Sequence, residues 1–244
     1  MAKATGTDLK PATLEQYAIL TGEIALAVAK AQPSFALMQR LATNKTAKRR
    51  ALATALKALE MELIPDPRLT AEQQFWVKLG VAVEIDDLMV PECPADFTEI
   101  AIIPASLTNE QLFVLCAKHF PSWKYYDDLD KCTAQQARPT NTYAVGYRGG
   151  VEPDLEHRNK SYDVATKEGL IFMNPKERLV AELRYFVRTG RHLDEKGWTI
   201  TSSLASGGCA LCAGWYPSSG TFDVDGYGRS CASSADGPRQ AVLR

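Results

Sequence analysis

Apolar positions recur at helical spacing through the early and middle parts of the chain, and at every second residue near its end. Thr13-Leu14-Glu15-Gln16 has the Thr-x-x-Gln form of a capping box and opens a predicted helix to Lys30, which Pro33 interrupts. A short helical piece over residues 35–41 follows. A stronger helix is predicted from Thr46 to Leu63, where Leu52, Leu56, Leu59 and Leu63 share one face, with Lys48, Arg49, Arg50 and Lys57 elsewhere. Ile64-Pro65-Asp66-Pro67 ends it, because each proline forces the preceding residue away from helical angles. We place a boundary here, between a helical N-terminal region, residues 1–68, and a second domain, residues 69–244.

In that domain, Thr70-x-x-Gln73 predicts a helix through Phe75 and Trp76, and Val90-Pro91-Glu92-Cys93-Pro94 reads as a linker. Residues 99–104 (EIAIIP) read as a buried strand, and Thr108-x-x-Gln111 caps a helix to Phe120. Residues 123–126 and 142–147 are strand-like, with a turn-rich link at Arg138-Pro139-Thr140-Asn141. The clearest helix has Asn174 as N-cap, Pro175 at its first position and Gly190 as its stop, with Leu179, Leu183 and Phe186 along one side. From Thr199 to Pro238 there are short alternating runs such as Thr221-Phe222-Asp223-Val224-Asp225, joined by glycine turns. The fold class expected is α+β, with a small antiparallel sheet in the C-terminal domain.

Composition changes this picture at one place. Over 244 residues the chain is 45% hydrophobic and 23% charged, which is ordinary for a globular protein, and a net charge of -1 gives no long-range pull toward nucleic acid or anionic lipid. Between Thr199 and Pro238, however, there is no Lys, Glu, Gln, Met or Asn; Gly, Ser, Ala, Cys, Asp and Tyr replace them. The N-terminus lacks a basic-then-apolar leader, and no early apolar run would span a bilayer, so a cytoplasmic protein is expected, with neither membrane nor nucleic acid as partner.

Few residues suggest chemistry. Cys209-Ala210-Leu211-Cys212 is a CxxC that Cys231 and His192 could complete as a zinc or thiol site, but the second closely spaced pair usual in structural zinc sites is missing. His119, His157 and His192 form no set and read as structural. Adjacent acids at Asp86-Asp87 and Asp127-Asp128 diverge on a regular element. Asp223 and Asp225 offer a calcium reading, set against a solvent-facing strand. No dinucleotide, P-loop, nucleophile-elbow or zinc-protease motif occurs.

An ordered series of short matches points further. It runs through Phe75-Trp76, Val90-Pro91-Glu92, Ile102-Ile103-Pro104-Ala105, Trp123 and Asp127-Asp128-Leu129-Asp130. It continues with Tyr143-Ala144-Val145, Glu156-His157-Arg158-Asn159, Glu177-Arg178-Leu179, Gly190-Arg191-His192-Leu193-Asp194 and Arg239-Gln240-Ala241-Val242. In these the chain resembles uncharacterised proteins of uncultured, small-genome bacteria, and its C-terminal part is similar in layout to the variable proteins of diversity-generating retroelements. That resemblance implies a C-type-lectin-like domain whose C-terminal segment, here residues 199–238, is rewritten at adenines by an error-prone reverse transcriptase. The resulting NNY codons cannot encode Lys, Glu, Gln, Met or Trp, so Trp198 and Trp215 would be fixed scaffold positions. The chain departs from the group at Ser203-Leu204-Ala205 and lacks the Gly-Gly-Ser-Trp form of better-known relatives.

The expectation is therefore a non-enzymatic binding protein for an unknown macromolecular ligand, with no cofactor. Tyr216 and Tyr227 would anchor the contact surface, and Ser206, Cys209, Cys212, Gly214, Asp223, Asp225 and Cys231 would be exchangeable contacts. The alternative is a zinc- or thiol-dependent protein using Cys209, Cys212, Cys231 and His192.

Overall fold

The computed structural model describes residues 66–243 except 86 and 87, together with nine scattered positions between 22 and 54. The chain divides into two compact units, Met1–Ile64 and Pro65–Arg244. In the first, Gly22, Gln39, Thr43, Thr46, Arg49, Arg50 and Thr54 are helical and exposed. The Thr13 capping box, the leucine face of residues 46–63, Lys48 and the Asp86-Asp87 pair lie outside the described residues. No helix among the described residues is long and apolar enough to cross a membrane.

The second unit is an α+β assembly of four α-helices and eight strands, counted among the described residues. Helix α1 (Pro67–Lys78) begins one turn before the expected start. Asp66 caps it by accepting from the Arg68 amide, Pro67 takes the first helical position, and Gln73 donates to the Val83 carbonyl (2.9 Å) instead of closing a capping box with Thr70. Trp76 is fully buried, its indole N–H donating to the Ile102 carbonyl at 3.0 Å. Strand β1 (Glu99–Ile103) is followed by α2 (Asn109–His119), which opens with the reciprocal Thr108–Gln111 capping box. After β2 (Ser122–Lys124), a 3-10 turn (Leu129–Lys131) and β3 (Thr133–Ala134) comes β4 (Tyr143–Tyr147). The short helix α3 (Tyr162–Lys167), unforeseen in the sequence because it offers less than two turns of periodicity, precedes α4 (Pro175–Thr189). Helix α4 has the expected ends: Asn174 and Glu177 form a capping box, and Gly190 adopts the left-handed conformation (φ 69°) at the C-terminus.

The strands form two sheets. β1 pairs antiparallel with β4, Ala101 opposite Val145. The second sheet, ordered β2-β7-β6-β5-β3, contains β5 (Thr199–Leu204), β6 (Ala210–Tyr216) and β7 (Thr221–Tyr227). It is mixed, correcting the expected antiparallel sheet. β2 runs parallel to β7 at one edge, and β8 (Gly237–Pro238) runs parallel to β5. Both parallel partners arrive from distant parts of the chain, so no hairpin signal announces them. Helix α4 packs on α2, β1, β5 and β6, and so joins the two sheets. The core between them holds Ile102, Ile103, Leu112, Leu179, Leu183, Leu211, Phe222 and Val224.

Through this core runs a buried charge cluster. Arg178 of α4 donates to Asp194 (3.0 Å) and Glu182 (2.8 Å), and all three side chains have zero exposure. Arg239 pairs with the other oxygen of Asp194, while its remaining donors reach Thr199 Oγ1 (2.9 Å), the Gly150 carbonyl (2.7 Å) and the Val151 carbonyl. Thr199 Oγ1 donates to Asp194 at 2.6 Å. Asp194 itself sits at φ 56°, a left-handed conformation that aspartate tolerates better than most residues. From Arg239 the chain continues as Gln240 bridging Phe172 and Val242 bridging Gly146 of β4, so the C-terminal segment fastens one sheet to the other.

Replacing Asp194 with Asn keeps the shape and the left-handed backbone but removes the charge that two buried guanidiniums share. Asp194→Asn should lower stability by about 3–5 kcal/mol, read as a shift of the urea unfolding midpoint at unchanged slope.

Candidate functional site

The mixed sheet has two unlike faces, because side chains alternate along each strand. On β6 and β7, Leu211, Ala213, Trp215, Phe222 and Val224 point into the core. The partners Cys212–Asp225, Gly214–Asp223 and Tyr216–Thr221 share the outer face, where Trp123 of β2 stands beside Asp223 in the parallel register. Beyond β6, Trp198 lies one step past the Thr199–Ala213 pair, its indole 3.3 Å from where a Cβ on Gly214 would stand.

Of the nine residues expected to make contacts, the structure exposes Ser206, Tyr216 and Cys231, and half-buries Cys209, Asp225 and Tyr227. The other three are corrections. Cys212 is 3% exposed, with its thiol against the Asp225 carbonyl (3.5 Å). Gly214 is buried under the loop before β5, and a Cβ there would meet the Gly197 carbonyl oxygen at 2.9 Å, so no side chain fits without backbone movement. Asp223 is only 9% exposed. Alternation put these residues on the right face; the loop over that face decided their burial. Tyr227 anchors inward, donating to Asp236 at 3.1 Å and packing on the second apolar cluster of Tyr162, Ala165, Phe172, Ile200 and Ala210.

Ser206 and Cys209 do share a cleft, of about 550 Å³, with Tyr125, Tyr126, Asp127, Asp128, Lys131 and Cys132. The loop after β2 supplies most of that lining. Burial, then the neighbouring Cys209 and Asp225, push the Tyr126 phenol up to about 12, so it is a protonated donor at neutral pH.

Beside Tyr216, named from the sequence and 48% exposed, the outer face carries aromatic surface that sequence reading missed as a surface feature: Trp123 is 46% and Tyr125 66% exposed. An edge strand of apolar character reads as core until its neighbours are known. Asp223, Asp225 and Asp236 add negative charge there. Asp225 accepts from the Gly226 amide (2.6 Å), and Asp236 accepts from the Trp198 amide (2.9 Å) and Tyr227. None of the three has a basic partner among the described residues, and Asp223 Oδ1 is buried without a hydrogen-bond donor. Burial, opposed by the Thr221 hydroxyl, raises the Asp223 carboxyl above the ordinary aspartate range, with Asp225 adding to the rise.

The residues of the zinc or thiol alternative do not meet. His192 is buried on the core side, stacked on Trp215 at 3.5 Å and 5° and bonded to Glu182 at 2.8 Å, whereas Cys212 is on the opposite face of β6. Among the described residues no group of three or more His, Cys, Asp or Glu is placed to hold a metal ion, Asp223 and Asp225 included. His157 is buried, with Nε2 3.4 Å from the Gln240 side chain and Nδ1 unpartnered. His119 is exposed at the end of α2. No family model, no curated protein and no solved structure matches this chain.

Two measurements check this division. Gly214→Ala should cost about 1–3 kcal/mol, while Ser206→Ala and Cys231→Ser stay within about 0.5 kcal/mol of the parent, all by denaturant unfolding. In native protein, iodoacetamide should modify exposed Cys231 at least about tenfold faster than Cys116 or Cys212, whose thiols burial raises well above the ordinary range, as read by mass spectrometry.

Proposed function

We propose that the outer face of the mixed sheet is a non-enzymatic recognition surface for a macromolecular ligand. Residues 199–238 are then the segment a retroelement reverse transcriptase diversifies, within a C-type-lectin-like domain. The observation that carries this reading is the grouping of exposed Trp123, Tyr125 and Tyr216 with carboxylates that have no basic partner among the described residues. Rigid amphipathic rings give contact area at low conformational cost, and small residues in the turns beside them give adaptable hydrogen bonds. Exposed Ser206 and residues 216–219 and 230–232 can change without touching the core, because Phe222, Val224, Leu211 and Arg239 hold the strands from the inner side, whereas Gly207 and Gly208 are held by left-handed backbone (φ 91° and 80°) and Arg229 by its pair with Asp163. Exchange is then confined to those turns and to the half-buried positions, and Gly214 and Gly197 stay fixed.

The gene tests this directly. NNY codons should cluster at the exposed positions of residues 199–238, with an adenine-containing near-copy of the segment nearby and a reverse transcriptase gene beside it. Among sister copies, substitutions should spare Gly197, Gly214, Trp215, Phe222 and Arg239. Uniform codon usage with no second copy removes the diversification reading.

A further inference from the structure

The cleft beside the loop after β2 has two walls of different origin. Tyr125, Tyr126, Asp127, Asp128 and Lys131 lie outside residues 199–238, whereas Ser206 and Cys209 lie inside that segment. At about 550 Å³ the cleft has room for a side chain of a bound protein. Its first wall is aromatic. The Tyr125 and Tyr126 rings meet at 82° with centroids 5.1 Å apart, and Trp123 follows 6.4 Å from Tyr125. Tyr125 is exposed, so its π surface is open to a ligand. Tyr126 lies over Gly226 of β7, where a Cβ would collide with its hydroxyl, and that hydroxyl has no hydrogen-bond partner among the described residues.

The charges of this wall are unevenly satisfied. Asp128 accepts from the Asp130 amide at 2.9 Å and faces Lys131 at 3.8 Å, while Asp130 accepts from the Glu110 amide at 3.2 Å. Lys124 is taken by Glu110 and by the Asp127 carbonyl oxygen (2.7 Å). The Asp127 carboxylate, exposed at the cleft, has neither hydrogen bond nor ion pair among the described residues. Burial, then Asp128 and Asp130, push the Cys132 thiol up, so it stays neutral beside them.

We propose that this cleft is a subsite for the cationic end of a Lys or Arg side chain on a protein ligand, with Tyr125 supplying π surface, Asp127 the counter-charge and the Tyr126 oxygen an acceptor. The assignment deepens the recognition reading above and rests on it. A cation within about 6 Å of a ring centroid is attracted by the ring, and a carboxylate adds charge-assisted hydrogen bonds. Among the lining residues Asp127 and Asp128 outweigh Lys131, so an anionic group is repelled. A metal ion finds too few ligands, since no group of three His, Cys, Asp or Glu is placed to hold one among the described residues. The two walls then divide the work: residues 125–131 keep the class of group constant, and Ser206 and Cys209 vary its surroundings.

The test uses the purified full chain with N-acetyl-arginine methylamide and N-acetyl-lysine methylamide as probes, and the neutral citrulline and norleucine analogues as their controls. Tryptophan fluorescence reports binding, because exposed Trp123 stands beside Tyr125. Saturable millimolar binding of at least one cation, about tenfold tighter than its control, is expected; the tighter of the two identifies the group as guanidinium or ammonium. Asp127→Asn should remove that preference and Tyr125→Ala should weaken binding about threefold, both at unchanged thermal unfolding because both side chains are exposed. Ser206→Lys, a like charge on the exchangeable wall, should weaken it as well. Equal binding of each cation and its control, no binding up to roughly 100 mM, or a preference retained in Asp127→Asn overturns the subsite. Those outcomes leave the codon test of diversification untouched, and absent diversified codons would leave a measured cation site standing.

Discussion

Asp194 holds two guanidiniums in an interior with no water to screen them, and the domain is arranged around that obligation. Arg178 comes from α4 and Arg239 from the C-terminal segment, with β5, β6, β7 and β8 between them in the chain. Burying these charges is costly, and the cost is offset only when each is paired and its remaining donors are satisfied. The structure meets most of this with Glu182, Thr199 and the carbonyls of Gly150 and Val151, while Arg178 Nη2 lies 2.9 Å from Asp194 without a hydrogen bond. A cluster so demanding specifies one arrangement of helix, loop and terminal strand, because an alternative packing would leave an ion unpaired in the core.

That arrangement frees the opposite side of the sheet. Phe222, Val224 and Leu211 bury the inner face against α4 and its neighbours, Phe222 lying beneath the Arg178 guanidinium at 5.3 Å. The larger apolar cluster thus lies on one side of β6 and β7, and the smaller one, with Ile200, Ala210 and Tyr227, covers part of the other. The turns that join the strands contribute little to stability, and their residues can change at small cost. The glycines are the exception. Gly214 and Gly197 lie where the chain passes over itself, and at Gly197 a Cβ would meet the Ala235 carbonyl oxygen at 2.0 Å. A diversified segment on this scaffold has fixed points as strict as any core residue.

The outer face carries acidic side chains with no basic partner among the described residues. A buried carboxylate left without a cation raises its own pKa and weakens the domain slightly, as Asp223 does. The cysteines and His192 lie apart: Cys212 is packed away behind Asp225, Cys231 is exposed on a turn, and His192 belongs to the core with Trp215.

How much of this was legible in the sequence depended on the range of the interaction responsible. Helices α2 and α4 were predictable to their ends, because Thr108–Gln111 and Asn174–Glu177 cap within one turn and Gly190 stops the chain locally. The strand character of residues 199–238, its two faces and its unusual composition were legible for the same reason. Helix α1 was misplaced at its start, where Asp66 and Pro67 outcompeted Thr70. The parallel edges β2 and β8, the burial of Cys212, Gly214 and Asp223, and the separation of His192 from the cysteines were decided only by tertiary structure. Each depends on segments far apart in the chain meeting in space: Trp123 beside Asp223, the loop before β5 over Gly214, Arg239 against Asp194. Local sequence sets what a segment can become, and long-range packing sets which of its faces water reaches.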